Sequence, residues 1–290
     1  MPHRIANNRP LSSGVGYDVA KRSPTILIGH VTTGTCYEAI MSVQLAESSL
    51  FIPVTEMYVD VLQGEGPTIG QLSSFIRFTG CHRTCDFCDS KHTWKPGEIV
   101  TKRLSVSEVT EFLTKGKARN VILTGGEPLL HQGKAYFNRL LDLLILAGFS
   151  FEVETEGLHV PNDTLANLAR EGKYRQLRIN CSPKLQNAGM GDLTPEYVKL
   201  GGLKRIYELG GIFKFVVRNE HDVLEALNMI ETTLGSLDPK VLSTVWLMPE
   251  GITREVQLKR LPEIYDLATK FGVNFCPRLH VLRWDDKKGV

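Results

Sequence analysis

The sequence predicts an α/β fold in which a mostly parallel sheet closes part of the way around, as a partial or modified (β/α)6 barrel. Three observations predict it. Short β-branched or aromatic runs recur after residue 50, helical periodicity fills most of the intervals, and six such strand–helix units follow residue 70. Strands that alternate with helices at this spacing form βαβ units, and ligands bind at the carboxyl ends of such strands.

Seven segments are predicted as strands because they are short, apolar and bounded by turn residues. They are residues 54–61, 74–78, 120–124, 150–155, 176–181, 213–217 and 244–248.

Helices are predicted between most of these strands. The segment that starts at Ser105 opens with a capping box, in which Glu108 is the third helical residue. The segment 134–148 ends on Gly148, where a left-handed cap is expected. Two later helices are predicted within residues 219–234 and 254–272.

Composition and charge exclude several classes of protein. Hydrophobic residues make up 42% and charged residues 23% of the 290 residues, and both values are near globular averages. A formal charge of +2 is too small to indicate a nucleic-acid or membrane partner. The longest apolar stretch, residues 140–149, contains Asp142 and is shorter than the ~20 residues that span a bilayer. With no secretory signal pattern at the N-terminus, we expect a cytoplasmic protein.

The first 50 residues differ from the rest of the chain. They begin with turn and linker residues and show only short, mixed patterns. We expect an N-terminal extension over 1–50, poorly ordered or accessory, and a catalytic domain over 51–290. Met41 is an alternative natural start.

Three of the six cysteines cluster in residues 80–90, "GCHRTCDFCDS", at C-x3-C-x2-C spacing: Cys81, Cys85 and Cys88. Six cysteines are too few for a disulfide scaffold, and such a cluster in a reducing compartment indicates a metal. Structural zinc normally has four protein ligands, and no nearby side chain completes the set. A 4Fe-4S cluster held by three cysteines leaves one iron open to an exogenous ligand. Zinc and a plain electron-transfer cluster stay open as alternatives.

The spacing of the cysteines resembles that of the radical SAM superfamily, whose proteins bind S-adenosylmethionine (SAM) at the open iron. An electron from the cluster then breaks a carbon–sulfur bond of SAM and gives a 5′-deoxyadenosyl radical. The segment 122–130, "ILTGGEPLL", also resembles the superfamily loop that holds the amino group of SAM. Exposed glycine backbone permits a close approach of the ligand.

The order of the flanking motifs resembles that of the 7-carboxy-7-deazaguanine synthase family over residues 53–290. These motifs are "VLQGEGPTIG" (61–70), "FIRFTGC" (75–81), "CDFCDSKHTW" (85–94), "TGGEP" (124–128), "ETEG" (154–157) and "CSPK" (181–184). The ending "RLHVLRWDDKKGV" is similar to one branch of the family.

The resemblance implies conversion of 6-carboxy-5,6,7,8-tetrahydropterin to 7-carboxy-7-deazaguanine with loss of ammonia, a carbon–nitrogen lyase step toward queuosine-type nucleosides. The implied cofactors are a 4Fe-4S cluster, SAM and Mg2+. The implied partners are the pterin, a flavodoxin- or ferredoxin-like electron donor and, as the family tends that way, a second copy in a homodimer.

The resemblance also implies roles for individual residues. Substrate contacts are expected from Leu62, Gln63, Gly64, Arg77, Thr124 and Val290. SAM contacts are expected from Phe87, Cys88, Asp89, Gly126, Ser182, Pro183 and Lys184. The cluster is expected on Cys81, Cys85 and Cys88, and Mg2+ on the Ser90 hydroxyl. Arg77 has the planar, bidentate donors that suit a substrate carboxylate.

A second group of polar residues, Glu65, Glu154, Glu156 and Lys214, is left open between the site and ordinary surface or strand positions.

Three positions depart from the family pattern. Met248 stands where many relatives carry a glutamine near SAM, so either that contact is absent or the methionine packs in the core. His82 replaces a common asparagine, and Glu156 replaces the asparagine of "ETNG".

Two other functions remain open at this point. A glycyl-radical activating enzyme also uses C-x3-C-x2-C spacing, but it is not expected to carry QGEG before the cluster and SPK after it. A non-catalytic iron–sulfur or zinc protein would carry electrons or organise partners, and would leave the GGEP segment without a role.

Overall fold

A nine-stranded sheet organises the residues that the computed structural model describes, 50–170 and 176–287. Its strands are β1 (Phe51–Leu62), β2 (Leu72–Phe78), β3 (Lys102–Ser105), β4 (Asn120–Gly125), β5 (Ser150–Thr155), β6 (Leu177–Cys181), β7 (Ile212–Val217), β8 (Val245–Pro249) and β9 (Asn274–Phe275). Their order is β3-β1-β2-β4-β5-β6-β7-β8-β9, so β3 and β9 are the two edges of an open sheet.

The parallel part of the sheet runs from β2 through β4 to β9, and it includes the six expected barrel strands β2 and β4 to β8. This confirms the predicted partial barrel. The first predicted strand lies in β1, which is antiparallel to both β2 and β3. It therefore extends the sheet rather than adding a βαβ unit. The short edge strands β3 and β9 were not predicted.

Nine helices connect or flank the strands within the described residues. They are α1 (Val106–Thr114), α2 (Ala135–Leu146), α3 (Asp163–Arg170), α4 (Thr194–Leu200), α5 (Gly202–Glu208), α6 (Glu220–Leu234), α7 (Pro239–Leu242), α8 (Arg254–Phe271) and α9 (Leu279–Trp284).

The predicted helix ends are present in the structure. Ser105 and Glu108 form both hydrogen bonds of the capping box at the start of α1. Gly148 has a φ of 79° after α2, and the amide of Phe149 donates to the carbonyl of Leu144, which closes the turn. Of the helices in the described part of the chain, none has both the length and the hydropathy that a bilayer-spanning helix needs.

One apolar core fixes the helices on the sheet. In α2, Phe137, Leu140 and Leu144 share one face at i, i+3 and i+7 and are fully buried. Burying one such side chain contributes roughly 1.5–3 kcal/mol. The sheet adds Phe151 and Phe213 to the same core. Because the core holds each strand in register, the loops at the strands' carboxyl ends start from fixed positions.

The predicted N-terminal extension lies outside the described residues apart from Leu50, and so does Val290. The domain boundary near residue 50 and the role of Val290 therefore stay predictions.

Candidate active site

A cavity of about 650 Å3 opens at the carboxyl ends of the parallel strands. Residues that follow directly on strand ends line it, among them Gln63 after β1, Gly126 after β4, Glu156 after β5 and Ser182 after β6. Strand register also brings Arg77 of β2 opposite Thr124 of β4. The motifs that are far apart in the sequence therefore meet in one cavity, as expected for this type of sheet.

The cluster loop, residues 80–90, follows β2 and places Cys81, Cys85 and Cys88 on the cavity wall. The indole Nε1 of Trp94 donates to the Cys88 sulfur over 3.3 Å, and the Arg83 amide donates to the Cys81 sulfur over 3.4 Å. Burial raises the pKa of Cys81 to about 11 and also raises the pKa of Cys85. Without a metal these thiols are therefore protonated, whereas a coordinated metal deprotonates its thiols.

Among the described residues, His221, Asp222 and Glu225 form a group whose potential ligand atoms all lie within 4.8 Å of one another. The three cysteines of the cluster loop do not form such a group, so their assignment to a metal depends on their shared place on the cavity wall.

Two glycines let the strand after the cluster loop approach it closely. A Cβ on Gly126 would lie 1.9 Å from the carbonyl oxygen of Gly80, and one on Gly125 would lie 2.3 Å from the carbonyl oxygen of Phe78. Any side chain at either position would push the two loops apart. Gly126 thus exposes backbone to the cavity directly beside Cys81.

The glutamate of the GGE segment faces into the protein. The Glu127 carboxylate is buried and accepts hydrogen bonds from the Leu129 amide, the Thr155 hydroxyl and the Glu156 amide, at 2.9, 2.7 and 2.8 Å. Glu127 therefore ties the GGE loop to the end of β5.

The SPK segment, residues 182–184, brings two of its three predicted SAM contacts to the cavity. Ser182 and Lys184 line the cavity, and the Lys184 Nζ donates to the Ser182 carbonyl over 2.7 Å. Pro183 is buried and is not part of the cavity lining. In the cluster loop, Phe87 and Asp89 both reach the cavity.

The β1–β2 loop, residues 63–71, forms the opposite wall. Gln63 is buried, and its amide is used within the protein: Nε2 donates to Glu152 at 3.0 Å and Glu154 at 3.2 Å, while Oε1 accepts from the Gly64 amide at 2.7 Å. Gln63 therefore shapes this loop rather than presenting a free amide. Leu62 and Gly64 also line the cavity.

A chain of ion pairs, whose members are largely buried except for the exposed Asp89, connects this loop to three distant segments. Glu65 pairs with Lys214 of β7 and, over 3.1 Å, with Nε of Arg278. Another guanidinium nitrogen of Arg278 pairs with Asp89 of the cluster loop, and Nη1 donates to the Gly251 carbonyl over 3.1 Å. Lys214, left open by the sequence, therefore lines the cavity and pairs with its β1–β2 loop.

The opposite charges keep these groups ionised despite their burial. Burial alone would raise the pKa of Glu65 and Asp89, but Lys214 and Arg278 hold the first, and Arg278 and Arg77 hold the second, well below their usual values. Burial alone would lower the pKa of Lys214, but the nearby carboxylates raise it above its usual range.

Arg77 stands next to the predicted Mg2+ ligand. Its Nη1 donates to the Ser90 hydroxyl over 2.8 Å, its Nε pairs with Glu56 over 3.1 Å, and the Ser90 hydroxyl donates to Asp89 over 2.8 Å. Thr124, opposite Arg77 in the sheet, donates its hydroxyl to Glu154 over 2.8 Å.

Sequence reasoning missed Arg278 and His280, which lie in the C-terminal segment, residues 276–287. Both line the cavity, and a Cβ on Gly64 would lie 2.5 Å from Nδ1 of His280. Their only signal was the family-like ending of the chain. Met248 is buried yet also lines the cavity, beside Val216, so this wall is apolar where many relatives were expected to place a glutamine.

Comparisons with known proteins give the family. The radical SAM superfamily profile matches residues 75–184. The 7-carboxy-7-deazaguanine synthase of Halobacterium salinarum is 33% identical over 254 residues, which cover 81% of this chain and 91% of the relative. The chain belongs to the 7-carboxy-7-deazaguanine synthase family. The Escherichia coli relative of the same name is 31% identical over 66% of this chain and 82% of its own.

Solved structures agree with this assignment. The crystal structure of QueE from Escherichia coli matches with a TM-score of 0.59 at 25% identity and covers 82% of this chain and 98% of its own. Membership in the superfamily implies a 4Fe-4S cluster and SAM. The donor set fits both, because three thiols, a glycine backbone and Lys184 share one cavity.

Proposed function

We propose that this chain converts 6-carboxy-5,6,7,8-tetrahydropterin to 7-carboxy-7-deazaguanine with release of ammonia, within deazapurine and queuosine biosynthesis. Family membership supports the reaction class, and one observation carries the assignment to this cavity: Arg77 lines the same cavity as the three thiols of the cluster loop. A guanidinium can hold the pterin carboxylate in bidentate fashion and so orient the ring toward the cluster side.

Different residues of the cavity would bind the cluster and SAM. Cys81, Cys85 and Cys88 would hold the 4Fe-4S cluster, which with SAM supplies the radical chemistry of the superfamily. The exposed backbone of Gly126 and the ammonium of Lys184 would hold the amino and carboxylate groups of SAM.

The substrate side has complementary polar and apolar groups. The Glu154 carboxylate would offer acceptors for the edge of the heterocycle, and Gly64, which carries no side chain, would let the ring approach this wall closely. Val216 and Met248 would cover a face of the ring and exclude water from the reacting carbon.

Three further features belong to the same proposal. Mg2+ would take the Ser90 hydroxyl as an oxygen ligand, and the Asp89 carboxylate beside it would offset the charge. The hydrogen bond from Arg77 to the Ser90 hydroxyl would then be replaced by the bond to Mg2+. A flavodoxin- or ferredoxin-like protein would supply electrons, and the chain would act in the cytoplasm as a homodimer.

One assay tests the function. Protein reconstituted anaerobically with iron and sulfide is mixed with reductant, SAM and the carboxytetrahydropterin, with and without Mg2+. We expect 5′-deoxyadenosine and a deazapurine carboxylate. No cleavage of SAM would favour a non-catalytic iron–sulfur protein, and cleavage without deazapurine would favour a different radical enzyme. Equal rates with Mg2+ and with EDTA would remove the metal from the proposal.

Cys85→Ala tests the cluster. The Cys85 thiol is buried in the cluster loop, so we expect its removal to abolish SAM cleavage and to lower the iron content, while the fold persists. Cys181→Ala is the matched control, because Cys181 is equally buried in β6 and does not line the cavity. Turnover by Cys85→Ala would refute the assignment.

Arg77→Ala tests the substrate carboxylate site. Loss of a charge-assisted bidentate pair should raise KM for the pterin roughly 10- to 100-fold. Uncoupled SAM cleavage should change much less. Arg103→Ala is the control, since Arg103 stacks on Phe51 at the outer edge of the sheet. An unchanged KM would remove Arg77 from the substrate site.

A further inference from the structure

The Glu156 carboxylate is a buried acceptor for donors from three segments of the chain. Its Oε1 accepts from Nε2 of His82 at 2.9 Å and from the Leu158 amide at 3.0 Å. Its Oε2 accepts from Nε of Arg83 at 3.2 Å and from the hydroxyl of Tyr197 at 2.7 Å. The carboxylate is 4% exposed, so all four bonds lie in a region of low dielectric, where they are strong.

These bonds join the cluster loop to the SPK segment. His82 and Arg83 lie next to Cys81, while the Tyr197 hydroxyl accepts a hydrogen bond from the Lys184 amide over 2.9 Å. A single carboxylate therefore connects the cluster loop beside its first cysteine with the backbone of Lys184 in the SPK segment, through the hydroxyl of Tyr197.

His82 and Glu156, whose side chains are joined over 2.9 Å, are the two polar positions at which this sequence departs from the asparagines expected from the family resemblance. The structure places them in contact. An asparagine at position 156 would offer one acceptor oxygen and one amide donor, and a donor there would face the hydrogen-bond donors of its neighbours. The two departures are thus chemically matched to each other.

We propose that His82 and Glu156 are a pair of positioning residues that hold the cluster loop and the SPK segment in one arrangement and so set the affinity for SAM. This inference rests on the part of the proposed function that assigns Lys184 to SAM. Neither residue is hydrogen-bonded to the β1–β2 loop or to Arg77, so we expect the pair to affect SAM rather than the pterin.

Glu156→Gln is the first test. The amide replaces one acceptor by a donor, which opposes either the His82 side or the Arg83 side of the group. With iron content matched to the wild type, we expect the SAM Kd, measured from the change in the electron paramagnetic resonance signal of the reduced cluster, to rise about tenfold or more. At saturating SAM, the pterin KM should stay within about twofold. An unchanged SAM Kd overturns the proposal.

Glu196→Gln is the matched control. Glu196 is the other carboxylate partner of Arg83, at 2.9 Å, and it lies half exposed at the start of α4. The Glu196 carboxylate is bonded to Arg83 and not to the side chain of His82 or Tyr197, so its neutralisation should leave the SAM Kd unchanged. An equal loss of SAM affinity in Glu196→Gln and Glu156→Gln would assign the effect to Arg83 and overturn the role of the pair.

A double-mutant cycle tests whether the two residues act as a unit. His82→Asn, Glu156→Asn and the double variant are compared by SAM Kd and, on protein without iron, by Tm. We expect each single variant to show more than half of the decrease in SAM affinity and in Tm that the double variant shows, because the double variant regains an uncharged pair. Additive losses in both measurements overturn the pair.

The same cycle covers the case in which Glu156→Gln fails to hold iron. Recovery of iron and SAM binding in the double variant supports the proposal, and no recovery overturns it. The proposed function fails separately, if the wild-type protein yields no deazapurine. This inference fails on the results named above, each measured against a wild type that binds SAM.

Discussion

The two walls of the cavity are held in place by different interactions. The cluster wall consists of the cluster loop, Gly125 to Glu127 and the SPK segment, and backbone contacts at glycines join its first two parts. The substrate wall consists of the β1–β2 loop, Lys214 and the C-terminal segment, and buried ion pairs join them. Where two backbone segments pack closely, an added side-chain atom forces them apart. A buried ion pair can adjust to small shifts, but the protein is strongly destabilised when one partner is removed.

This difference predicts where each wall is sensitive. On the cluster wall, the loss of stability and activity on substitution should increase with the volume of the side chain that is added. On the substrate wall, this loss should depend on the charge that is removed. The stability contributions of Glu127, on the cluster wall, and Glu65, on the substrate wall, should change in opposite directions with pH. Burial raises the pKa of Glu127, whereas neighbouring cations lower the pKa of Glu65.

Gly126→Ala should have the largest effect. Its Cβ would overlap the backbone of Gly80, which cannot move without displacing Cys81, so we expect at least about a 100-fold loss of SAM cleavage and a lower iron content. Gly133→Ala is the control, because no atoms lie near the added methyl; its φ of 79° adds backbone strain of about 1–2 kcal/mol that Gly126, which lacks a positive φ, does not carry. Wild-type iron content and activity in Gly126→Ala would show that the cluster wall is not closely packed.

Arg278→Gln should have the next largest effect, and it should act through charge. It removes one of the two cations that face the largely buried Glu65, and breaking a buried pair costs about 3–5 kcal/mol. The pair with Asp89, whose side chain is 44% exposed, should add much less. We expect Tm to fall by roughly 10 °C. Arg278→Lys keeps the charge and should recover part of the loss.

The exposed pair of Glu111 in α1 and Lys115, which directly follows this helix, supplies the control. Lys115→Gln should change Tm by less than about 2 °C, because exposed pairs contribute about 0–1 kcal/mol. If Arg278→Gln were as mild as this control, the substrate wall would not depend on its ion pairs.

The same comparison explains what the sequence could predict. The parallel strands and the cluster wall were predictable because β-branched runs, cysteine spacing and glycine pairs are local signals. The edge strand β3, "KRLS", is too short and polar to show a period of two.

The substrate wall was only partly predictable. Arg278 lies 213 residues from Glu65 and 189 residues from Asp89, so no local pattern pairs them. Lys214 gave the one hint, as a charged residue inside an apolar strand. For Gln63 the loop was predicted, but the use of its amide within the protein depends on Glu152 and Glu154 of a different strand.

The smallest effect expected is a pH dependence that separates the walls. Burial, with repulsion from Glu156, raises the pKa of Glu127 to about 7, so the folded protein keeps this proton to higher pH than the unfolded chain. Its contribution is complete below about pH 4.5 and is lost as pH rises through 7, by roughly 1–3 kcal/mol in total. Glu65, whose pKa is lowered by Lys214 and Arg278, contributes above about pH 4.5 and loses this as pH falls.

The free energy of unfolding of the iron-free protein, measured between pH 5 and 8 for wild type and Glu127→Gln, tests the sign. The variant loses an acceptor and should be less stable at pH 5, but the difference from wild type should narrow as pH rises, because only the wild-type carboxyl group gives up its proton. Glu108→Gln is the control, since Glu108 is a capping carboxylate at the surface. A constant difference across this range would mean that Glu127 is ionised throughout, held by its three hydrogen bonds rather than by burial.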